Sequence, residues 1–82
     1  MIDKEEFFVE LARIFNKDAD AINENTRFRE DLNAKSVSYF AIAAVVEETW
    51  GLELTYALLR KFDTVGGVLD YIESALKESR AQ

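Results

Sequence analysis

The sequence predicts an all-α fold, a bundle of four helices with a long loop between the first and second and a short third helix. Three observations predict it. Proline is absent and glycine occurs only 3 times in 82 residues, so little interrupts helical runs. Apolar residues recur at helical rather than alternating spacing in several stretches. Capping residues stand where those stretches begin. With 49% hydrophobic residues the chain is too apolar for disorder, and it reads as one domain over residues 1–82.

The first helix is predicted over about 4–16. Asp3 and Glu6 are spaced as a capping box, with Ile2 and Phe7 as the hydrophobic staple beside it. Phe7, Phe8, Leu11, Ile14 and Phe15 follow as one apolar stripe. Residues 17–35 hold no sustained period. A loop this long in a compact domain needs internal anchors, and Ile22, Phe28 and Leu32 are the apolar side chains placed to provide them.

The second helix is predicted over about 36–50, closed by Gly51 in the left-handed position with Leu52 beyond it. Thr55 is placed to cap a third helix over 56–62. Asp63 or Thr64 is placed to cap a fourth over 64–77, where Val65, Val68, Leu69, Ile72 and Leu76 form a stripe. The last six residues, 77–82, are polar and are expected to fray. The capped start and polar end suit a free-standing protein.

Composition excludes much chemistry. The chain has no cysteine and no histidine, which removes disulfides, thiolate and imidazole catalysis and the usual zinc sites. Sixteen acidic against ten basic residues give a net charge of −6, which repels nucleic acid and favours basic partner surfaces. No apolar run reaches the roughly 18 residues of a membrane span, and the acidic start MIDKEEFF is unlike a signal peptide, so a cytoplasmic location is expected.

Other motifs fail on inspection. Counted from Asp18 as a calcium loop, Asn23 falls where glycine belongs and Arg29 where the bidentate glutamate belongs. Glu47 and Glu48 point to different faces of a helix, and Gly66-Gly67 lacks the setting of a phosphate loop. No metal site is expected. Ser36 stands where the long loop becomes the second helix. Its ordinary role there is an N-cap. Its alternative role is to carry a covalently bound phosphate, which a helix N-terminus favours.

The surrounding sequence bears on that choice. Residues 31–37, DLNAKSV, resemble the DLGADSL signature of acyl carrier proteins and related phosphopantetheine carriers. Asp31, Leu32, Ala34 and Ser36 match it, Val37 is a mild substitution, and Asn33 stands for a glycine as one of the few residues that tolerate a left-handed backbone. EETWGLEL at 47–54 resembles the family's EEEFGIEI, and Thr64-Val65-Gly66 resembles its TVGD.

The resemblance implies a four-helix carrier and places 4′-phosphopantetheine, taken from coenzyme A by a phosphopantetheinyl transferase, on Ser36. The cofactor's thiol would hold an acyl or aminoacyl group as a thioester and present it to acyl-transfer, condensing or modifying enzymes. The chain itself is then not an enzyme. The chain reads as a specialised member, and a specialised fatty-acid, other lipid or polyketide pathway would employ it. The alternative is a helical interaction adaptor of the same fold without a prosthetic group.

Two departures from the family pattern shape the expectations. Lys35 replaces the aspartate before the serine, where it either favours the bound phosphate or repels a transferase. The second helix carries no charge from Ser36 to Val46, whereas typical fatty-acid carriers place acids along it. Spacing suggests Val37, Phe40, Ala44 and Val45 as its core side, with Ala41 behind them. That leaves Tyr39, Ile42, Ala43 and Val46 toward solvent.

These four, together with Val37, are the candidate docking residues (Val37, Tyr39, Ile42, Ala43 and Val46), in a helix either enclosed by the long loop or offering an apolar patch. A monomer is expected, with self-association through this helix as the alternative. Trp50 is expected as a core plug. Tyr56 and Leu59 are expected to border an acyl-chain pocket between the second and third helices.

Overall fold

The computed structural model describes the backbone of residues 3–81 and the side chains of 3–78. Helix α1 runs Lys4–Phe15, α2 Ser36–Trp50, α3 Tyr56–Leu59 and α4 Val65–Ala81, with a single 3-10 turn at Ala19–Ala21 in the first connection. The described residues form no strand, only an isolated antiparallel bridge between Arg27 and Thr64.

The start of α1 is capped by Asp3, whose carboxylate accepts the Glu5 N–H at 3.0 Å. This single bond takes the place of the expected reciprocal box with Glu6. Ile2, the other half of the expected staple, lies outside the described residues. Asn16 closes the helix in the left-handed conformation at φ 55°, and its N–H donates to Ala12 and Arg13 carbonyls. Its short polar side chain makes that backbone tolerable.

Helix α3 stops at Leu59 rather than 62. Beyond it the chain tightens into turns in which Lys61 N donates to Leu58 O and Phe62 N to Leu59 O, both at 3.1 Å. Helix α4 runs past the expected end at 77. Thr64 caps it, its hydroxyl accepting Gly67 N–H at 3.2 Å.

The long loop is anchored as its apolar residues suggest. Ile22, Phe28 and Leu32 are buried in the core beside Phe7, Leu11, Val65, Val68, Leu69 and Ile72. Backbone bonds then sew it to the start of α4: Phe28 N to Asp63 O at 3.0 Å, Val65 N to Thr26 O at 2.9 Å and Gly66 N to Glu24 O at 2.9 Å. A Cβ at Gly66 would sit 2.9 Å from that same Glu24 carbonyl, so only glycine permits the approach.

The DLNAKS stretch has its own local logic. Asp31 accepts the Arg27 N–H on its carboxylate at 2.9 Å, Ala34 N donates to Phe28 O at 2.8 Å, and Asn33 takes φ 53°. These bonds coil the chain around buried Phe28 and Leu32 and deliver it to the first turn of α2. The motif therefore serves the fold before it serves any chemistry.

Helix α2 turns a different face inward from the one expected. Tyr39 is 3% exposed and Ile42 and Val46 0%, whereas Val37 is 78% and Phe40 58% exposed. Ala43 and Val45 are half-buried and Ala44 is exposed. Tyr39 packs on the loop anchor Phe28 with ring centroids 6.0 Å apart, so the folded loop helps select which stripe is covered. The helix is apolar on every side, and spacing alone had no polar face by which to orient it.

Candidate functional site

Ser36 is the first residue inside α2, not its cap. Lys35 holds the cap position with extended backbone angles, φ −124° and ψ 176°. The bond that completes this cap comes from Ser38, whose hydroxyl accepts the Lys35 N–H at 3.3 Å. The Lys35 carbonyl accepts the Ser38 N–H at 2.9 Å. The N-cap duty considered for Ser36 is thus discharged by its neighbours, and its hydroxyl is left exposed at the helix start.

The hydroxyl meets one partner. Ser36 Oγ lies 3.3 Å from Tyr56 Oη, on the first residue of α3. The Tyr56 ring is held by neighbours: Tyr39 edge-on at 5.7 Å, Phe40 stacked at 5.2 Å, and the Arg60 guanidinium 5.4 Å from its centroid. Thr55 fixes the start of α3 by accepting Leu58 N–H at 3.1 Å. Two helix starts, Lys35–Ser36 and Thr55–Tyr56, are thereby brought together.

The electrostatics around this point differ from those of the whole chain. Despite the net charge of −6, no acidic residue occurs from Leu32 to Val46 or from Leu54 to Phe62, while Lys35 and Arg60 are exposed. The acids of α2, Glu47 and Glu48, lie at its other end. Ser36, Phe40 and exposed Ala44 follow one another at helical spacing, so the serine's own solvent face carries the exposed aromatic.

The expected docking residues are divided by this arrangement. Val37 lies on the open face beside Ser36, but Tyr39, Ile42 and Val46 are core residues and Ala43 is half-buried. Phe40 and Arg60 are the residues that sequence reasoning missed. The signal for Phe40 was available, since a serine accessible to modification places the residues four and eight positions on toward solvent as well.

Leu59 is buried and Tyr56 half-buried, with Tyr56 turned to the serine. A hollow of about 250 Å³ along α2 is lined by Ala43, Ala44, Glu47, Glu53, Leu54 and Thr55. A larger one, about 450 Å³, lies among Arg27, Arg29, Glu30, Asp63 and Thr64. Trp50 packs on Phe7 at 5.9 Å, partly buried. Among the described residues no cluster of three metal-ligating side chains occurs, and no helix is long and apolar enough to cross a membrane.

No protein-family model matches the chain. Curated relatives do. It is 39% identical over 57 residues to the acyl carrier protein of Chlamydia felis, across 70% of this chain and 73% of that one. It is 36% identical over 64 residues to the acyl carrier protein of Lactobacillus acidophilus, across 78% and 80%. With the acyl carrier protein of Borreliella burgdorferi it shares 30% over 76 residues, across 88% and 95%.

Proposed function

Because the chain belongs to the acyl carrier protein family, we propose that it is a non-catalytic carrier bearing 4′-phosphopantetheine on Ser36 and an acyl or aminoacyl intermediate on that arm. One observation carries the assignment of Ser36: its hydroxyl is exposed at the first turn of α2 while Ser38 completes the cap. A hydroxyl spent on capping would be a poor acceptor for a new bond. Attachment would break the Ser36 Oγ–H bond and the β-phosphorus–oxygen bond of coenzyme A's diphosphate and form an Oγ–P bond, with adenosine 3′,5′-bisphosphate leaving and the serine proton passing to a base of the transferase.

When bound, the group supplies the thiol that this cysteine-free chain lacks, and with it the means of holding cargo as a thioester. The chain's own residues supply the rest. Unpaired N–H groups at the start of α2 and the charge of Lys35 favour an anionic phosphodiester at Ser36. The buried stripe Tyr39, Ile42 and Val46 fixes the helix on the core, which holds Ser36 at a defined place on the surface.

The phosphopantetheinyl transferase and the acyl-transfer, condensing or modifying enzymes of its pathway are its partners in this reading. Val37, Phe40, Lys35 and Arg60 form the face they meet. That face is apolar and basic, which suits a dedicated pathway in lipid or polyketide chemistry better than enzymes adapted to acidic carriers.

The test is intact mass after incubation with coenzyme A and a broad-specificity phosphopantetheinyl transferase, beside Ser36→Ala. The expected result is a gain of one phosphopantetheinyl unit that Ser36→Ala abolishes. If the wild-type chain gains nothing, Lys35→Asp is assayed in the same way, and gain by that variant alone identifies Lys35 as the obstacle to this transferase. Silence in both supports the adaptor reading, in which Lys35 and the exposed Val37 and Phe40 serve partner binding without a prosthetic group.

A further inference from the structure

Resting on the carrier reading, we propose that Tyr56 is a positioning residue for the prosthetic arm. Its hydroxyl donates to a non-bridging oxygen of the Ser36 phosphodiester, and Arg60 and Lys35 supply the positive charge that holds this root of the arm against α3. In the chain as it stands, the Tyr56 Oη to Ser36 Oγ separation of 3.3 Å is long for a hydroxyl pair. Two neutral exposed hydroxyls at that distance do little for stability. A phosphorus on Oγ changes the partner. It sets charged acceptor oxygens one bond beyond the serine, and charge-assisted hydrogen bonds are shorter and roughly twice as strong as neutral ones.

The phenol is prepared for that role by its surroundings. Tyr39 edge-on and Phe40 stacked restrict the ring, and the Arg60 guanidinium lies 5.4 Å from its centroid. The ordering cost of a freely rotating tyrosine is therefore already met. Arg60 is four residues on from Tyr56 in sequence, one turn along from the site, and a long guanidinium side chain spans that reach. No carboxylate from 32–46 or 54–62 competes for these cations.

A consequence concerns the direction of the arm. Gripped at its root by α3, it leaves Ser36 alongside Phe40, whose 58% exposure has no role in the core. The arm is then presented in a preferred direction instead of sweeping freely about the serine.

The experiment is phosphorus NMR on enzymatically loaded protein, with attachment confirmed by mass, for wild type, Tyr56→Phe and Arg60→Gln. Each spectrum is compared with that of the same loaded chain unfolded in urea. In the wild type the phosphodiester resonance is expected to be displaced from the unfolded value. Tyr56→Phe, which keeps the ring and loses only the hydroxyl, is expected to return it most of the way. Arg60→Gln moves it in the same direction and, because its position is exposed, serves as the folded variant should Tyr56→Phe lose its helical signal.

A resonance that coincides in wild type and Tyr56→Phe overturns the grip while the mass gain leaves the carrier reading intact. If Tyr56→Phe does not fold, a resonance unmoved by Arg60→Gln overturns it equally. Absence of any mass gain, with Lys35→Asp as well as wild type, overturns the carrier reading and the grip together.

Discussion

Substitution at Ile42 and at Phe40 tests which side of α2 faces the core. Both residues are large and apolar and lie two positions apart, so composition treats them alike. Their environments do not. Ile42 is 0% exposed and Phe40 58%. Ile42→Ala removes three buried carbons, about 2.4 kcal/mol in transfer terms at roughly 0.8 per methylene. The cavity left behind raises the loss to about 3–4 kcal/mol.

A domain of this length has on the order of 4–12 kcal/mol in total, so Ile42→Ala should remove about a quarter or more of it and lower Tm by about 12–25 °C. Phe40→Ala loses a stack on Tyr56 at an open surface, about 0.5–1.5 kcal/mol. Urea unfolding followed by far-UV circular dichroism, with the slope compared as well as the midpoint, measures both. An equal loss for the two variants, or a larger one for Phe40→Ala, would refute the face assignment and with it the description of the Ser36 surface.

The remaining predictions concern hydroxyls, a close backbone approach and one ion pair. Tyr39 Oη is buried without a hydrogen-bond partner among the described residues, so Tyr39→Phe should leave stability unchanged or raise it by about 1 kcal/mol; a loss of that size in the same urea titration would reveal a hidden partner. Ser38→Ala should cost about 0.5–1 kcal/mol through the cap at Lys35, while Ser36→Ala stays within about 0.5 kcal/mol in the unmodified chain. The opposite order in thermal melts would return the capping role to Ser36.

Gly66→Ala should cost about 1–3 kcal/mol because its Cβ meets the Glu24 carbonyl, which cannot step aside without breaking the loop's bonds to α4. A neutral result in urea would show that the loop yields. Glu24 raises the Lys4 ammonium above its ordinary value, first through the hydrogen bond and then through its charge. The folded pKa lies above the unfolded one, so this small contribution is fully present below the unfolded value and is lost as pH rises through the folded value. Any melting difference between wild type and Lys4→Met should therefore persist at neutral pH and close as pH rises into strong alkali; closure near pH 7 in a series of melts would contradict that sign.

Much of the molecule was legible in the order of its residues because the relevant forces are local. Caps act within one turn, so Asp3, Thr55 and Thr64 marked helix starts without knowledge of the fold. Left-handed positions depend on a residue's own side chain, which is why Asn33 and Gly51 could be recognised. The stripe of α4 and the anchors Ile22, Phe28 and Leu32 stood out because each contrasts with polar neighbours. Ser36 was singled out by its position and by the motif around it, and the structure leaves its hydroxyl exposed at the start of α2.

Contacts over distance lay beyond that reach. In α2 two apolar stripes compete at equal spacing, and the choice between them came from packing against Phe28 and the rest of the core, with Tyr39, Ile42 and Val46 covered and Val37 and Phe40 left out. The end of α3 was settled by the turn that leads into the bridge between Thr64 and Arg27. The meeting of Tyr56 with Ser36 joins residues twenty positions apart. Neither residue's neighbours in sequence encode that contact; it exists because the core places the start of α3 against the start of α2.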